Sequence, residues 1–502
     1  MATFYSNTLK PGTSAAEANI DARPSEVIRP SWQELLALCV VNLLYMVGLV
    51  EGQGFMETMN LVGPTLLMIT MALAAVLQVK RGVVAIWAPL FWARVALAVY
   101  YGVGSLVPYF VNTDTRDMME AFYFSFPRDV AQYNLVGGLF ALFMLLSALL
   151  FSQMLDARKT DSADTIFGWK PHAAGPGLKN MALLLLIVGS AVDYGLILPS
   201  SIGLITTPIP QALSQVAFAS WLGCFLLTYS SLRDKSPLLY LAIAASILSC
   251  ASGILQFSKQ TAVFPLLMLA MGFVYARPRL KNLVVSFLAI GTFFMTIVPV
   301  VTYSRAVLVN TLGTGAAASL PDRLKIVMSY TAEREKEIND KEVQGGWARL
   351  SYVNSGTFAI NQFDAGRPGA SLRNIFIVFL PRFIYPNKPI ITDIGNEFNA
   401  SVNGNAGSAS SPGLAAELYW NGGWPMLIFG SLLVGIILSA LSAYSVVVMR
   451  NEAFHLLFIV LIGLRMGVRM DGMMVPDIIG PISYVVIGHV VLNALNNLSL
   501  KK

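Results

Sequence analysis

Residues 133–155, YNLVGGLFALFMLLSALLFSQML, run for 23 positions without a charged side chain. About 20 apolar residues carry a helix across the hydrocarbon core of a bilayer, so this stretch reads as a transmembrane helix. Working outward, the runs at 33–50, 60–79, 83–107, 180–199, 211–231, 237–256, 261–276, 283–303, 424–448, 454–470 and 475–497 read the same way. The run at 261–276 is short and the one at 454–470 carries charge. The sequence therefore predicts an all-α polytopic membrane protein with about twelve transmembrane helices. Composition agrees: the 502 residues are 55% hydrophobic and 12% charged, against roughly 25% charged in ordinary soluble domains. Mean hydropathy is +0.63. Such a chain cannot present its surface to water, which excludes soluble enzymes and nucleic-acid binders despite a pI near 9.1.

Lysine and arginine mark the cytoplasmic side of short loops. With the N-terminus inside, seventeen basic residues fall in cytoplasmic segments, among them Lys80, Arg81, Arg158, Lys159, Arg277, Arg279, Lys281 and Arg450. The short external loops hold three, Arg116, Arg128 and Lys259. Both termini are expected in the cytoplasm. The expected division is a cytoplasmic tail at 1–32, spans one to nine at 33–303, a large external loop at 304–411, spans ten to twelve at 412–497 and a cytoplasmic end at 498–502. The opening polar stretch of about thirty residues is too long and too polar for a cleaved signal peptide, so the first helix is expected to remain. The three cysteines, Cys39, Cys224 and Cys250, all lie in apolar runs and point to neither a disulfide nor a thiolate metal site.

The loop at 304–411 carries eleven basic and nine acidic residues. A connection this long is expected to be functional. Residues 322–344 read as a charged surface helix with Ser319 and Asp322 spaced as a cap. Residues 371–381 are apolar but too short to span, which suits a re-entrant or interfacial segment. Pro381, Pro386 and Pro389 follow, and then a stretch at 399–413, rich in glycine, serine and asparagine, that reads as a lid or loop.

Charges inside spans are the residues most pointed toward function. Arg94 lies midway along the third span, with Asp193 of the fifth as a candidate partner. Arg465 and Arg469 stand four apart near the outer end of the eleventh, on one helical face. Charges at such depth face a cavity, pair internally or mark a ligand path. Snorkelling, or an ion pair with Asp471, is the alternative for the pair. The external loop adds Arg349, Arg367, Arg373, Arg382 and Lys388. Arginine presents a planar fork of donors to phosphate oxygens, and lysine a point charge. Arg367 and Arg373 read as solvated loop charge. Arg382 and Lys388 differ, because LPRFIYPNKP (380–389) fixes their backbone with three prolines beside an apolar flank.

Glu417, in SPGLAAELYWNGGW (411–424), sits among aromatic residues where partial burial suits a general base. Asp364, Asp393 and Glu397 are alternatives, with solvated charge the competing reading for each. His172, His455 and His489 are all placed toward the cytoplasm, and no Walker A loop occurs. Asp114 and Asp117 make a weak metal candidate, so a metal-independent mechanism resting on arginines, with no cofactor, is expected.

These strings, with Trp347-Ala-Arg349-Leu, the span count and the late external loop, resemble the Wzy-type repeat-unit polymerases of O-antigen and exopolysaccharide assembly. The overlap covers roughly residues 345–430 plus topology. The resemblance implies a GT-C-like fold and a glycosyltransferase in the bacterial inner membrane, acting at the periplasmic face, which makes the loop at 304–411 periplasmic. Its donor would be a growing glycan on undecaprenyl diphosphate, its acceptor the next lipid-linked repeat unit, and its by-product undecaprenyl diphosphate. A chain-length co-polymerase and a flippase are candidate partners. On this reading Arg382, Arg349, Arg465 and Arg469 meet the leaving diphosphate with help from Lys388, Arg94 lies on the substrate path, and Glu417 is the candidate base. Trp347, Tyr352, Tyr385, Trp420 and Trp424 could stack on sugars, with membrane anchoring the competing role for the last two.

Two other readings stay open. O-antigen ligases share the lipid donor and the large loop, but their pattern includes a periplasmic histidine that this sequence lacks. A flippase or secondary transporter would share the twelve-span layout and use buried arginines to bind an anion. Against transport stand the missing internal repeat and the external position of the long loop.

Overall fold

A computed structural model describes residues 23–111, 127–157, 165–166, 169–171, 177–205, 209, 213, 216–312, 318–331, 350–380, 385, 393–403 and 410–500. The chain divides into two compact units, one formed by Met1–Ala173 with Gly345–Lys502 and the other by Ala174–Gln344.

The first unit opens with a short helix at Pro24–Ile28 whose Val27 and Ile28 are buried, so the end of the expected polar tail is packed rather than free. Four helices follow: α1 (Trp32–Val50), α2 (Gln53–Arg81), α3 (Pro89–Phe110, widened to a π turn at Ala98–Val103) and α4 (Pro127–Ala157). Backbone groups left bare in lipid are costly. Ser31 accepts from the Glu34 N–H at the head of α1, and Ser442 accepts from the Leu90 N–H in the first turn of α3.

The second unit holds α5 (Leu178–Ser201), α6 (Ala219–Asp234), α7 (Leu238–Leu255), α8 (Lys259–Ala276), α9 (Leu280–Leu312) and α10 (Leu320–Met328). Here α6 packs on α5, α7 and α8. A Cβ on Gly189 would come within 2.1 Å of the Ser220 backbone, so α5 and α6 cross as closely as small residues permit. Arg323 on α10 is buried and donates to the carbonyls of Ala318 (3.0 Å), Leu255 (2.8 Å) and Ser201. One planar fork thus closes the C-terminal ends of α5 and α7 onto α10.

Back in the first unit come α11 (Val353–Asp364), α12 (Asp393–Asn403), α13 (Leu414–Arg450), α14 (Leu457–Val468) and α15 (Gly480–Leu500), the last preceded by a π turn at Met474–Ile479. The most extensive packing joins α13 to α4, around Phe140, Met144, Leu427, Val434 and Leu438. A Cβ on Gly435 would lie 2.1 Å from the Met144 carbonyl oxygen, so that contact depends on its glycine.

Ten helices among the described residues are long and apolar enough to cross a membrane. The multi-pass expectation stands, with ten of the twelve expected spans present among the described residues. The run at 454–470 holds α14, with 12 residues, and the run at 211–231 holds α6, with 16, much of that run's first part lying outside the described residues. At 1.5 Å per residue, α14 reaches only about 18 Å. It ends because the chain tightens into a 3-10 turn at Arg469–Asp471.

The expected loop at 304–411 is more structured than its composition suggested. Helix α9 runs on to Leu312, and the Ser319 cap starts α10 as expected; that helix stops at Met328, and residues 332–344 of the expected charged helix lie outside the described residues. The 371–381 segment forms two 3-10 turns, Ser371–Asn374 and Ile377–Phe379, with Phe376, Phe379 and Leu380 exposed. Helices α11 and α12 were not anticipated.

Candidate functional site

Helix α13 is 37 residues long, more than one crossing needs. It breaks at Gly422 (φ −170°, ψ 23°) and Gly423 (φ 61°, ψ −150°), and Pro425 removes a further backbone donor. The segment from Pro425 spans by itself, which frees residues 414–421 as a short separate helix at the bundle end. Glu417 on this short helix is completely buried. Its Oε1 accepts from the Ser371 hydroxyl at 2.6 Å and its Oε2 from the Met474 N–H at 2.5 Å. Asn421 donates to the same Ser371 hydroxyl at 2.8 Å and accepts from the Leu372 N–H at 3.2 Å. Glu417 therefore ties three segments together with both oxygens occupied, and is set back from the open surface.

The turn that Glu417 holds carries the next carboxylate. Asp477 is 4% exposed, and its Oδ1 accepts from Arg465 Nη2 at 2.9 Å and Arg469 Nε at 3.1 Å. Its Oδ2 accepts from Arg469 Nη2 at 3.3 Å and the Met473 N–H at 3.1 Å. Arg469 also reaches Asp471 Oδ2 at 3.4 Å, and the Tyr352 hydroxyl donates to that oxygen at 2.9 Å. The Asp471 Oδ1 is buried without a hydrogen-bond partner among the described residues.

Burial pushes the Asp471 carboxyl above the usual carboxylate range, opposed by the Arg469 charge and the Tyr352 hydroxyl. The Tyr352 phenol is raised by its own burial and then by the Asp471 charge. The two arginine side chains remain 56% and 40% exposed while their partner carboxylates are buried. Chemically this is a pair of pinned guanidinium groups with donors to spare. Among the described residues Arg465 spends one of its five N–H groups on Asp477, and its side chain is more than half exposed.

The sequence reading thus brought Arg465 and Arg469 onto one face, where the structure keeps them, and named Asp471 as a partner. It missed Asp477, the carboxylate that both share, and the supporting roles of Ser371 and Tyr352. The one available signal was an acidic residue inside an apolar run, MMVPDIIG at 473–480.

Arg94 lies elsewhere. It is 2% exposed and forms a two-pronged pair with Glu34, Nε to Oε1 at 2.7 Å and Nη2 to Oε2 at 3.2 Å, while Nη1 donates to Gln78 at 2.8 Å. The expected partner Asp193 belongs to the other unit, where Gln256 donates to it at 3.3 Å. Correcting that pairing makes Arg94 an internal tie between α1, α2 and α3. Arg373 pairs with Glu397 at 2.7 Å on the surface, as solvated charge should. Tyr385 is exposed. Trp347, Arg349, Arg382 and Lys388 lie outside the described residues, as do Asp114, Asp117 and His172. His455 and His489 sit with Asn493, and His455 precedes α14, at the end of that helix away from Arg469.

No protein-family model, curated protein or solved structure matches the chain.

Proposed function

We propose that this chain is a membrane glycosyltransferase that joins oligosaccharide repeat units carried on a polyprenyl diphosphate, of the undecaprenyl type, into a longer glycan. The observation that carries the reading is the arginine pair, held by one buried aspartate and exposed on the other side. In the reaction an acceptor hydroxyl oxygen attacks the anomeric carbon of the donor sugar. The bond from that carbon to the diphosphate oxygen breaks, and the electron pair leaves with the diphosphate. Negative charge grows on the leaving group, and preorganised cationic donors lower its energy without having to reorganise. Arg465 and Arg469 fill that role, joined on the sequence argument by Arg349, Arg382 and Lys388. Glu417, doubly occupied, positions the turn that carries Asp477 and is not assigned the proton of the acceptor.

The test is polymerisation with purified protein and a lipid-diphosphate-linked repeat unit, with products resolved by size. A ladder of lengthening glycans with release of polyprenyl diphosphate is the expected result. A single unchanged band from folded protein would overturn the reading in favour of ligase-like transfer or transport.

A further inference from the structure

We propose that Trp424, Asp364, Gln132 and Asn361 form a sugar-binding patch on the face of the 414–421 helix opposite the one that meets the Asp477 turn, and that it holds the oligosaccharide portion of the lipid-linked substrate. The proposal rests on the polymerase reading for the identity of that substrate.

The short helix 414–421 places Glu417 and Tyr419 about 200° apart, on opposite faces. Glu417 faces the turn that bears Asp477. Tyr419 faces the first turn of α4 and the last turn of α11, where two acid–amide rungs join those helices. In one rung Gln132 Nε2 donates to Asp364 Oδ2 at 2.8 Å, and the Tyr419 hydroxyl donates to Asp364 Oδ1 at 2.9 Å. In the other, three residues back on each helix, Asn361 Nδ2 donates to Asp129 Oδ2 at 2.9 Å. Asp364 is exposed. A carboxylate accepts about four hydrogen bonds, so Asp364 has room for the paired hydroxyls of a sugar.

The aromatic half of the patch follows from the break in α13. At φ 61°, a Cβ on Gly423 would also stand 2.7 Å from the Phe363 ring, so the turn requires glycine. It delivers Trp424 edge-to-face against Tyr419, with ring centroids 4.9 Å apart and an interplanar angle of 83°. Trp424 is 38% exposed. An exposed indole offers the apolar face that a pyranose ring covers, while carboxylate and amide groups alongside take its hydroxyls. Anchoring in the lipid headgroups would account for the tryptophan alone. It gives no reason for two rungs of acid and amide beside it.

The test uses the full chain in lipid nanodiscs and a soluble probe, the free oligosaccharide released by mild acid from the lipid-linked pool of its own cells. Saturation-transfer NMR reads binding, and the lipid-linked form is assayed for polymerisation in the same preparation. Saturable binding is expected, weakened about tenfold or more by Trp424→Ala and by Asp364→Asn, and largely retained by Trp424→Phe. Absence of saturable binding, or binding that neither Trp424→Ala nor Asp364→Asn changes, overturns the patch. Variant-sensitive binding in a preparation that does not polymerise supports the patch and counts against the polymerase reading alone.

Discussion

Arg465 donates to the Asp477 Oδ1 at 2.9 Å, and that carboxylate is nearly sealed from solvent while the arginine is more than half exposed. A buried carboxylate thus fixes the position of an exposed guanidinium. Asp477→Asn keeps the shape but removes the charge that pins both arginines. Polymerisation is expected to fall about tenfold, the scale of a hydrogen bond to a charged group, with the fold intact by thermal unfolding. Unchanged turnover would remove Asp477 from the positioning role.

On the proposed reaction, Arg465→Ala and Arg469→Ala remove donors from the leaving diphosphate. Each is expected to lower turnover by about 10²-fold, as loss of one preorganised donor does elsewhere. Lysine at either position should recover only part, because it lacks the planar fork. Arg382→Ala is expected to abolish chain growth while the protein still inserts. Normal polymer length in that variant would take Arg382 out of the mechanism.

Because guanidinium groups meet the charge, a divalent-metal chelator should leave polymerisation intact. Activity lost on chelation and restored by added metal would overturn the arginine mechanism and redirect attention to Asp114 and Asp117.

Arg94 should behave as a stability residue. Arg94→Ala leaves Glu34 charged and buried, a loss on the order of 3–5 kcal/mol. Replacing both with methionine should recover most of the thermal stability and the activity. A folded but inactive double variant would return Arg94 to the substrate path.

Gly423→Ala strains a left-handed residue, at about 1–3 kcal/mol, and drives a methyl group into Phe363. Reduced melting temperature with a displaced Trp424 environment by fluorescence is expected. A melting temperature equal to that of the parent would show that the break tolerates a side chain.

The spanning helices were legible because lipid demands long apolar runs, and α14 shows where that rule stops. For α14, apolar composition continued past the point where the backbone turned. The site was half legible. Arg465 and Arg469 announced themselves by spacing, since i to i+4 fixes a helical face. Asp477 did not, because it meets them only after the chain reverses through Gly472 and enters a π turn, a path no periodicity records. Glu34 was hidden differently: three residues after Ser31, it fits a helix cap, and its N–H is capped by Ser31 while its carboxylate serves Arg94. Helices α11 and α12 were masked by polar composition, although Ile394 and Phe398 are the buried i to i+4 pair of α12.

The second unit interrupts the first in the chain, and that has a consequence for biogenesis. Helix α4 leaves the ribosome some 260 residues before α13, its main packing partner. Until then α4 must wait in the lipid with Ser147, which meets Gly435 of α13, lacking its final surroundings, while α5 to α10 already have every partner of their own unit. The second unit can therefore mature first. The first, which holds the arginine pair, closes only when the C-terminal third of the chain arrives, so the pinned arginines are the last thing synthesis delivers.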